Sequence, residues 1–334
     1  MNKKIFTNDK IFIAGSTGMV GSAIYRSLAK RGYGNKENGG CFFTPTRKEL
    51  NLLDKNSVNL WFKTNKPTVT ILAAAKVGGI FANKSNPTEF LLENIKIQTN
   101  VIESAWKNGV RRLLFLGSSC IYPKFAPQPL KEEYLLSGAL EKTNELYAIA
   151  KITGIKLCQA LREQYKFDAI SLMPTNLYGP KDNYHPNDSH VMAALISKFC
   201  YAKKESKSFV ECWGTGSPLR EFLHVDDLGE AATFCLEHWD PFDQNSPVDI
   251  NGEPLNFLNV GTGKDISISE LANKVAKILD FKGNIIWNSD KPDGTPKKQL
   301  NIERILALGW SPKISLDEGI KNTIKNFQKM NFDI

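Results

Sequence analysis

A tyrosine and a lysine stand four positions apart in Tyr147-Ala-Ile-Ala-Lys151. In a helix they share one face, a turn from each other. A free phenol titrates near ~10 and carries protons poorly at neutral pH. A lysine cation beside it favours the phenolate and lowers that value, so the pair is expected to act as an acid–base couple on a carbonyl or hydroxyl group. Alone, Tyr-x-x-x-Lys also describes a half-buried tyrosine and a solvated lysine on a surface helix. Two other stretches supply context. Gly15-Ser16-Thr17-Gly18-Met19-Val20-Gly21 follows the apolar run Ile11-Phe-Ile-Ala14 and opens a helical pattern that reaches Arg31-Gly32. Strand, glycine-rich turn and helix are what a dinucleotide pyrophosphate requires. Gly15 permits the tight turn, Gly18 lets backbone N–H groups reach the phosphates at the helix N-terminus, and Gly21 lets helix and strand pack closely. The spacing, Gly-x-x-Gly-x-x-Gly, differs from the commoner Gly-x-Gly-x-x-Gly, and the whole turn is assigned to a cofactor. Leu113-Leu-Phe-Leu116 then runs into Gly117-Ser118-Ser119-Cys120, which ends a strand in two hydroxyls and a thiol.

Positioning these groups takes alternating strands and helices. Apolar strands are read at 11–14, 41–44, 68–73, 113–116 and 169–173, with helices between them, including a long one from about Pro87 to Lys107 and the one carrying Tyr147. That alternation predicts a Rossmann-like, doubly wound parallel sheet, whose ligands lie at the carboxyl ends of the strands. Asp54 is placed to cap one helix and Ser267-x-x-Glu270 to box another. After residue 180 the regularity breaks, and 181–334 reads as a smaller, mixed α/β, mainly substrate-binding domain beside a cofactor domain at 1–180 to which later segments contribute. The end of the second strand is where an acidic residue grips the ribose of NAD and an arginine accepts the extra phosphate of NADP. Thr46-Arg47-Lys48 argues for NADP there, and the adjacent Glu49 argues the other way.

With 334 residues, 42% of them hydrophobic and 23% charged, the chain has ordinary globular composition. The net charge of +8 is spread along the chain, which argues against a nucleic-acid stripe and suits a phosphate-bearing small ligand. Six cysteines without Cys-x-x-Cys spacing signal neither a metal site nor a disulfide framework. No apolar run approaches the ~20 residues that span a bilayer, and the start lacks the apolar core of a signal peptide; a cytoplasmic protein is expected.

Together, Gly15-x-x-Gly18-x-x-Gly21, Ser118 and Tyr147-x-x-x-Lys151 resemble the extended short-chain dehydrogenase/reductase family. The resemblance runs over essentially the whole chain. Ala73-Ala-Ala-Lys-Val-Gly-Gly-Ile80, Leu114-Phe-Leu-Gly-Ser-Ser-Cys-Ile-Tyr-Pro-Lys124, Met173-Pro-Thr-Asn-Leu-Tyr-Gly-Pro180, Arg220-Glu-Phe-Leu-His-Val-Asp-Asp227 and Lys291-Pro-Asp-Gly-Thr-Pro296 are similar to the branch that epimerises C3 and C5 of GDP-4-keto-6-deoxy-D-mannose and reduces its C4 with NADPH. Relatives acting on other GDP-4-keto sugars, of the colitose and heptose pathways, are the alternative. Two departures are local: Ser16-Thr17 stand where some members carry an arginine for the adenosine phosphate, and the stretch 32–40 is longer than expected. Both return weight to Arg47.

What the resemblance implies accords with the chemistry. Protons at C3 and C5 flank the C4 ketone and are acidified by it. Read by type alone, Cys120 suits a small buried hydrophobe and His190 a cap of its own helix; the resemblance makes Cys120 the base and His190 the acid of epimerisation, with His190 also on the cofactor side. Ser118 and Tyr147 would hold the enolate oxygen, Tyr147 would protonate O4 on reduction, and Lys151 would bind the nicotinamide ribose. Leu116, Gly117 and Ser119 would face the cofactor, and Pro174, Thr175, Asn176 and Leu177 would line the nicotinamide amide through backbone groups. On the sugar-nucleotide side the resemblance assigns Trp213, Arg220 to the pyrophosphate, Lys198 as a phosphate cation, and Asp293 to ribose hydroxyls or guanine N–H groups. His185 and His224 are read as structural. A homodimer through the helices near 87–107 and 145–165 is expected.

Overall fold

The computed structural model describes residues 4–185, 188–291 and 293–332. The first half alternates as read. Strand β1 (Lys10–Ala14) leads into α1 (Met19–Lys30), β2 (Cys41–Phe43), α2 (Lys55–Asn65), β3 (Val69–Leu72), α3 (Ile80–Ser85), α4 (Pro87–Lys107), β4 (Arg112–Leu116), α5 (Glu145–Tyr165) and β5 (Asp168–Pro174). The second half contains β6 (Asn176–Tyr178), α6 (Val191–Lys204), β7 (Phe209–Trp213), β8 (Leu219–His224), α7 (Val225–His238), β9 (Phe257–Val260), β10 (Asp265–Ser267), α8 (Ile268–Leu279), β11 (Asn284–Asn288), β12 (Lys297–Lys298), α9 (Glu303–Ala307) and α10 (Leu316–Asn331).

Six strands form one parallel sheet in the order β2-β1-β3-β4-β5-β9. β1, β3 and β4 are buried almost throughout, which is why they read as unbroken apolar runs. Their crossovers are helices, packed as α1 against α7 and as a separate layer of α2, α4 and α5. Local chemistry sets the helix starts: Asp54 accepts from the N–H groups of Asn56 and Ser57 at the start of α2, and Ser267 and Glu270 complete a capping box on α8. His224 caps α7 by accepting from Asp226 N–H at 3.2 Å. The sheet draws on the whole chain, since β9 closes its far edge.

A second sheet, β10-β8-β12 with β6 also paired to β8, abuts the first. Glu221, fully buried in β8, ties the two together. Its carboxylate accepts from the backbone N–H of Thr262 (2.5 Å), Gly263 (2.8 Å) and Leu300 (2.7 Å), while its carbonyl accepts from Thr175 Oγ1 and Asn176 Nδ2. The buried carboxylate is thus met by three N–H donors from two segments, and a third segment meets its carbonyl. β7 and β11 pair in parallel beside this sheet, and α6, α8 and α10 enclose a second apolar core. Among the described residues no helix is long and apolar enough to cross a membrane.

Candidate functional site

The glycine-rich turn joins β1 to α1 against the loop that follows β3. Gly15 has φ +85°, and a Cβ there would stand 2.8 Å from Ala74 N; only glycine takes that turn without strain. A Cβ at Gly21 would overlap the Gly15 carbonyl oxygen, so the missing side chain sets how closely α1 approaches β1. Gly18 stands at the N-cap of α1 and no side chain caps it, which leaves first-turn N–H groups facing outward with the positive end of the helix dipole. Ser16, Thr17, Met19 and Val20 complete this cradle. Uncapped N–H groups on a turn kept bare by glycine are the features a pyrophosphate site needs. At the end of β2, Glu49 turns back and accepts from Thr46 N–H at 2.7 Å, which holds its carboxyl below the usual range. It is thereby engaged in its own turn, and Arg47 is exposed at the same corner.

One crevice collects the proton-handling groups. β4 ends at Leu116, and Gly117 continues it by donating to Leu172 O at 2.9 Å. Ser118 caps the short 3-10 turn Ser119–Ile121, accepting from Cys120 N–H at 3.2 Å, with Ser119 buried beneath. Ser118 also stands beside the Tyr147 phenol. α5 carries Tyr147 and Lys151 and presses close to β4, because at Gly154 even a Cβ would meet the Phe115 ring and Gln98.

The electrostatics depart from expectation in one respect. Tyr147 is raised, not lowered: burial pushes the phenol up and the nearby Cys120 sulfur pushes it further, while the Ser118 hydroxyl pulls it down. Lys151 does not draw it down because its ammonium donates to Leu116 O at 2.8 Å and stands 5.0 Å from the Phe115 ring centroid, against 5.9 Å for Tyr147. Burial lowers Lys151 itself to about 8. Cys120 moves the opposite way to an ordinary buried thiol. Burial pushes it up, yet the Lys298 cation, the Ser118 hydroxyl and the Arg220 guanidinium together bring it below its usual value. Cys158, Cys200 and Cys235 each have a cation nearby too, yet at these three burial outweighs it and raises the thiol to about 12. Cys120 is therefore no inert filler of the core.

His190 stands at the N-cap of α6, but its side chain makes no cap bond. The cap role open to it in the sequence is not taken. Its outer edge is exposed while the protein surrounds the rest, and that burial, then the Lys298 cation, holds the imidazole below its ordinary range. Thr175 and Asn176 sit at the junction of the two sheets: Thr175 N–H donates to Val260 O at 3.0 Å and their side chains hold Glu221. Pro174 and Leu177 flank them, in β5 and β6 respectively.

A second cluster lies towards β7 and the loop before β12. Lys198 donates to Glu211 O at 2.9 Å and stands 5.2 Å from the ring centroid of Trp213, whose face is 46% exposed. Lys291 approaches the same ring at 5.5 Å. Asp293 accepts from Thr215 N–H and Oγ1, both at 2.8 Å. Arg220, on β8 between the clusters, is within electrostatic reach of both Cys120 and Asp293. A flat aromatic face, several cations and one carboxylate are what a nucleoside diphosphate requires. Two residues at the thiol were not singled out from the sequence. Asn144 Nδ2 lies 3.2 Å and Lys298 Nζ 3.3 Å from Cys120 Sγ. Lys298 reads as one of two adjacent lysines in a polar turn, and only strand pairing across about eighty positions turns it inward.

Residues 11–251 match the model of the NAD-dependent epimerase/dehydratase family. The chain is 51% identical to GDP-L-fucose synthase 1 of Arabidopsis thaliana over 94% of this chain and 91% of that one. It is 48% identical to the GDP-L-fucose synthase of Escherichia coli K12 over 96% and 97% of the two chains. Among solved structures, a GDP-mannoheptose C4 reductase from Campylobacter jejuni with NADP bound superposes with a TM-score of 0.85 at 36% identity, over 97% of this chain and 99% of that one.

Proposed function

The chain belongs to the NAD-dependent epimerase/dehydratase family, in its GDP-L-fucose synthase branch, and from that premise we propose that it converts GDP-4-keto-6-deoxy-D-mannose to GDP-L-fucose by C3 and C5 epimerisation and NADPH-dependent C4 reduction. The observation that carries the reading is the meeting in one crevice of a thiol held below its ordinary range and a phenol held above it. Cys120, as thiolate, removes a proton from the carbon beside the ketone, and the electron pair moves onto O4. Ser118 and Tyr147 donate to that oxygen as charge develops. His190 returns a proton to the opposite face. When bound, NADPH supplies the hydride for C4. Tyr147 then gives its proton to O4; a phenol kept protonated is the acid this step requires. Lys151, Thr46 and Arg47 hold the cofactor's ribose and phosphate ends, with Gly15–Gly21 on its pyrophosphate, while Lys198, Trp213, Arg220 and Asp293 hold the GDP.

On this reading residues 1–180, with β9 and α7, serve the cofactor and the remainder mainly serves the nucleotide sugar. The chain pairs with a second copy through α4 and α5, on which Leu92 and Ile149 are exposed. The superposition on a heptose reductase favours a second reading, in which the same site reduces another GDP-4-keto sugar. NADPH oxidation across a panel of GDP-4-keto sugars separates the two: kcat/KM is expected to be highest for the 6-deoxy-manno ketone, and a preference for a heptose or 3,6-dideoxy ketone would move the assignment to the second.

A further inference from the structure

We propose that Lys298, assisted by Asn144, is a positioning residue that holds Cys120 as a thiolate aimed into the crevice, and that epimerisation depends on it more than reduction does. The inference rests on the reading of Cys120 as the epimerisation base. Lys298 Nζ lies 3.3 Å and Asn144 Nδ2 3.2 Å from Cys120 Sγ. An ammonium has three donors and no lone pair, so against sulfur it can only donate. A sulfur that accepts from it is best served without its own proton.

The remaining groups facing this sulfur point the same way. From the 3-10 turn's cap comes the Ser118 hydroxyl, from β8 the Arg220 guanidinium and from α5 the Lys151 ammonium, while the Tyr147 phenol, also on α5, is held protonated and sets no charge against them. One carboxylate lines the adjoining small cavity, Glu141, and it is paired with Lys124 at 2.8 Å. Beyond, on α6, His190 also feels Lys298. Among the described residues Lys298 has no carboxylate partner, although its neighbour Lys297 pairs with Asp265 at 3.2 Å.

The backbone that carries Lys298 is pinned from several sides. β12 pairs with β8 so that Lys298 stands opposite Arg220. Gln299 N–H donates to Gln128 Oε1 at 2.9 Å, Leu130 N–H donates to Gln299 O at 2.7 Å, and Leu300 N–H donates to Glu221. A two-residue strand held this firmly fixes a point charge against the thiol. An ordinary cysteine near ~8.5 is only a few per cent thiolate at pH 7, and each unit of lowering raises the reactive fraction nearly tenfold. In the step itself the C–H bond breaks, an S–H bond forms, and the electron pair passes to O4; Lys298 neither gains nor loses a proton.

The test uses the full chain, with Lys298→Met, the conservative Lys298→Arg, and Cys120→Ser as the blank. Without substrate, the pH dependence of Cys120 alkylation by iodoacetamide is followed by peptide mass spectrometry. Lys298→Met is expected to raise the midpoint by about one unit, slowing alkylation at pH 7 by about tenfold, and Lys298→Arg to restore most of it. With substrate in D2O, deuterium uptake at C3 and C5 should fall by about tenfold in Lys298→Met, while C4 reduction falls less, so that more reduced product keeps the manno configuration. An unmoved alkylation midpoint in a variant that still binds NADPH would overturn the proposal. So would a raised KM with exchange and reduction falling together, which would make Lys298 a phosphate contact. Should Lys298→Met not fold, Lys298→Gln carries the same readouts. Alkylation needs no sugar, so a wrong substrate assignment abolishes exchange yet leaves the alkylation shift intact.

Discussion

The Tyr147 phenol and the Cys120 thiol are near neighbours displaced in opposite directions, and on the proposed reading that displacement divides two proton tasks between them. Replacing Tyr147 by Phe removes the acid for O4 but leaves the thiol. C4 reduction is then expected to fall by about 10²- to 10⁴-fold while deuterium still enters C3 and C5; equal losses of both would contradict the division. Lys151, lowered to about 8 by burial, makes a pH prediction. A base held below its ordinary value loses its cation as pH rises through that lowered value, and kcat/KM reports the free protein. The kcat/KM for NADPH should therefore decline above about pH 8, and Lys151→Met should lack that limb; a profile flat to pH 10 would show that the ammonium is not needed. Residue types and spacing were enough to single out Tyr147, Lys151, Ser118 and the glycines. The direction of the Tyr147 shift was not legible, because it depends on where the Lys151 ammonium points, and a backbone carbonyl from another element decides that.

At the scale of elements, the β1–α1 junction depends on an absent side chain. A methyl at Gly21 would run into the Gly15 carbonyl oxygen, and backbone cannot step aside as a flexible side chain can. Gly21→Ala is expected to lower stability by about 2–3 kcal/mol and to weaken NADPH binding at least tenfold, measured by urea unfolding and by fluorescence titration; unchanged NADPH affinity would mean that α1 does not present its N-terminus to the cofactor. The helix α4 and the strands β1 to β5 were legible within a residue or two, since each is a long periodic pattern or an apolar run. β6, β8, β10 and β12 were not. They are short and polar in part, and their strand character comes from pairing with one another across the chain. Those unread strands carry Arg220 and Lys298, so the cations that stand near the Cys120 sulfur were not legible as its neighbours.

Across the whole molecule, the division expected at residue 180 is not a division in space, because β9 joins the main sheet and α7 packs on α1. Burial beyond the site also leaves a trace in stability. Asp182 accepts from Asn183 N–H at 2.7 Å through one oxygen, while the other is buried with no partner among the described residues, and burial raises the carboxyl from 3.8 to about 7. A carboxyl raised on folding favours the fold in its protonated form. That contribution is complete below about pH 4 and is lost as pH rises through 7. Asp182→Asn carries no charge at any pH, so relative to the unsubstituted protein it should gain stability with rising pH, by on the order of 2 kcal/mol at pH 8 and almost none at pH 4; denaturant unfolding at the two pH values measures this, and an equal effect at both would refute it. The central claim concerns one ketone served by two chemistries, and a single turnover experiment addresses it directly. GDP-4-keto-6-deoxy-D-mannose and NADPH are incubated with the protein in D2O and the product is read by NMR. GDP-L-fucose carrying deuterium at C3 and C5 is expected, with NADPH consumed in equal amount; a reduced sugar that keeps the manno configuration without deuterium, or no oxidation of NADPH, would refute the epimerase–reductase reading.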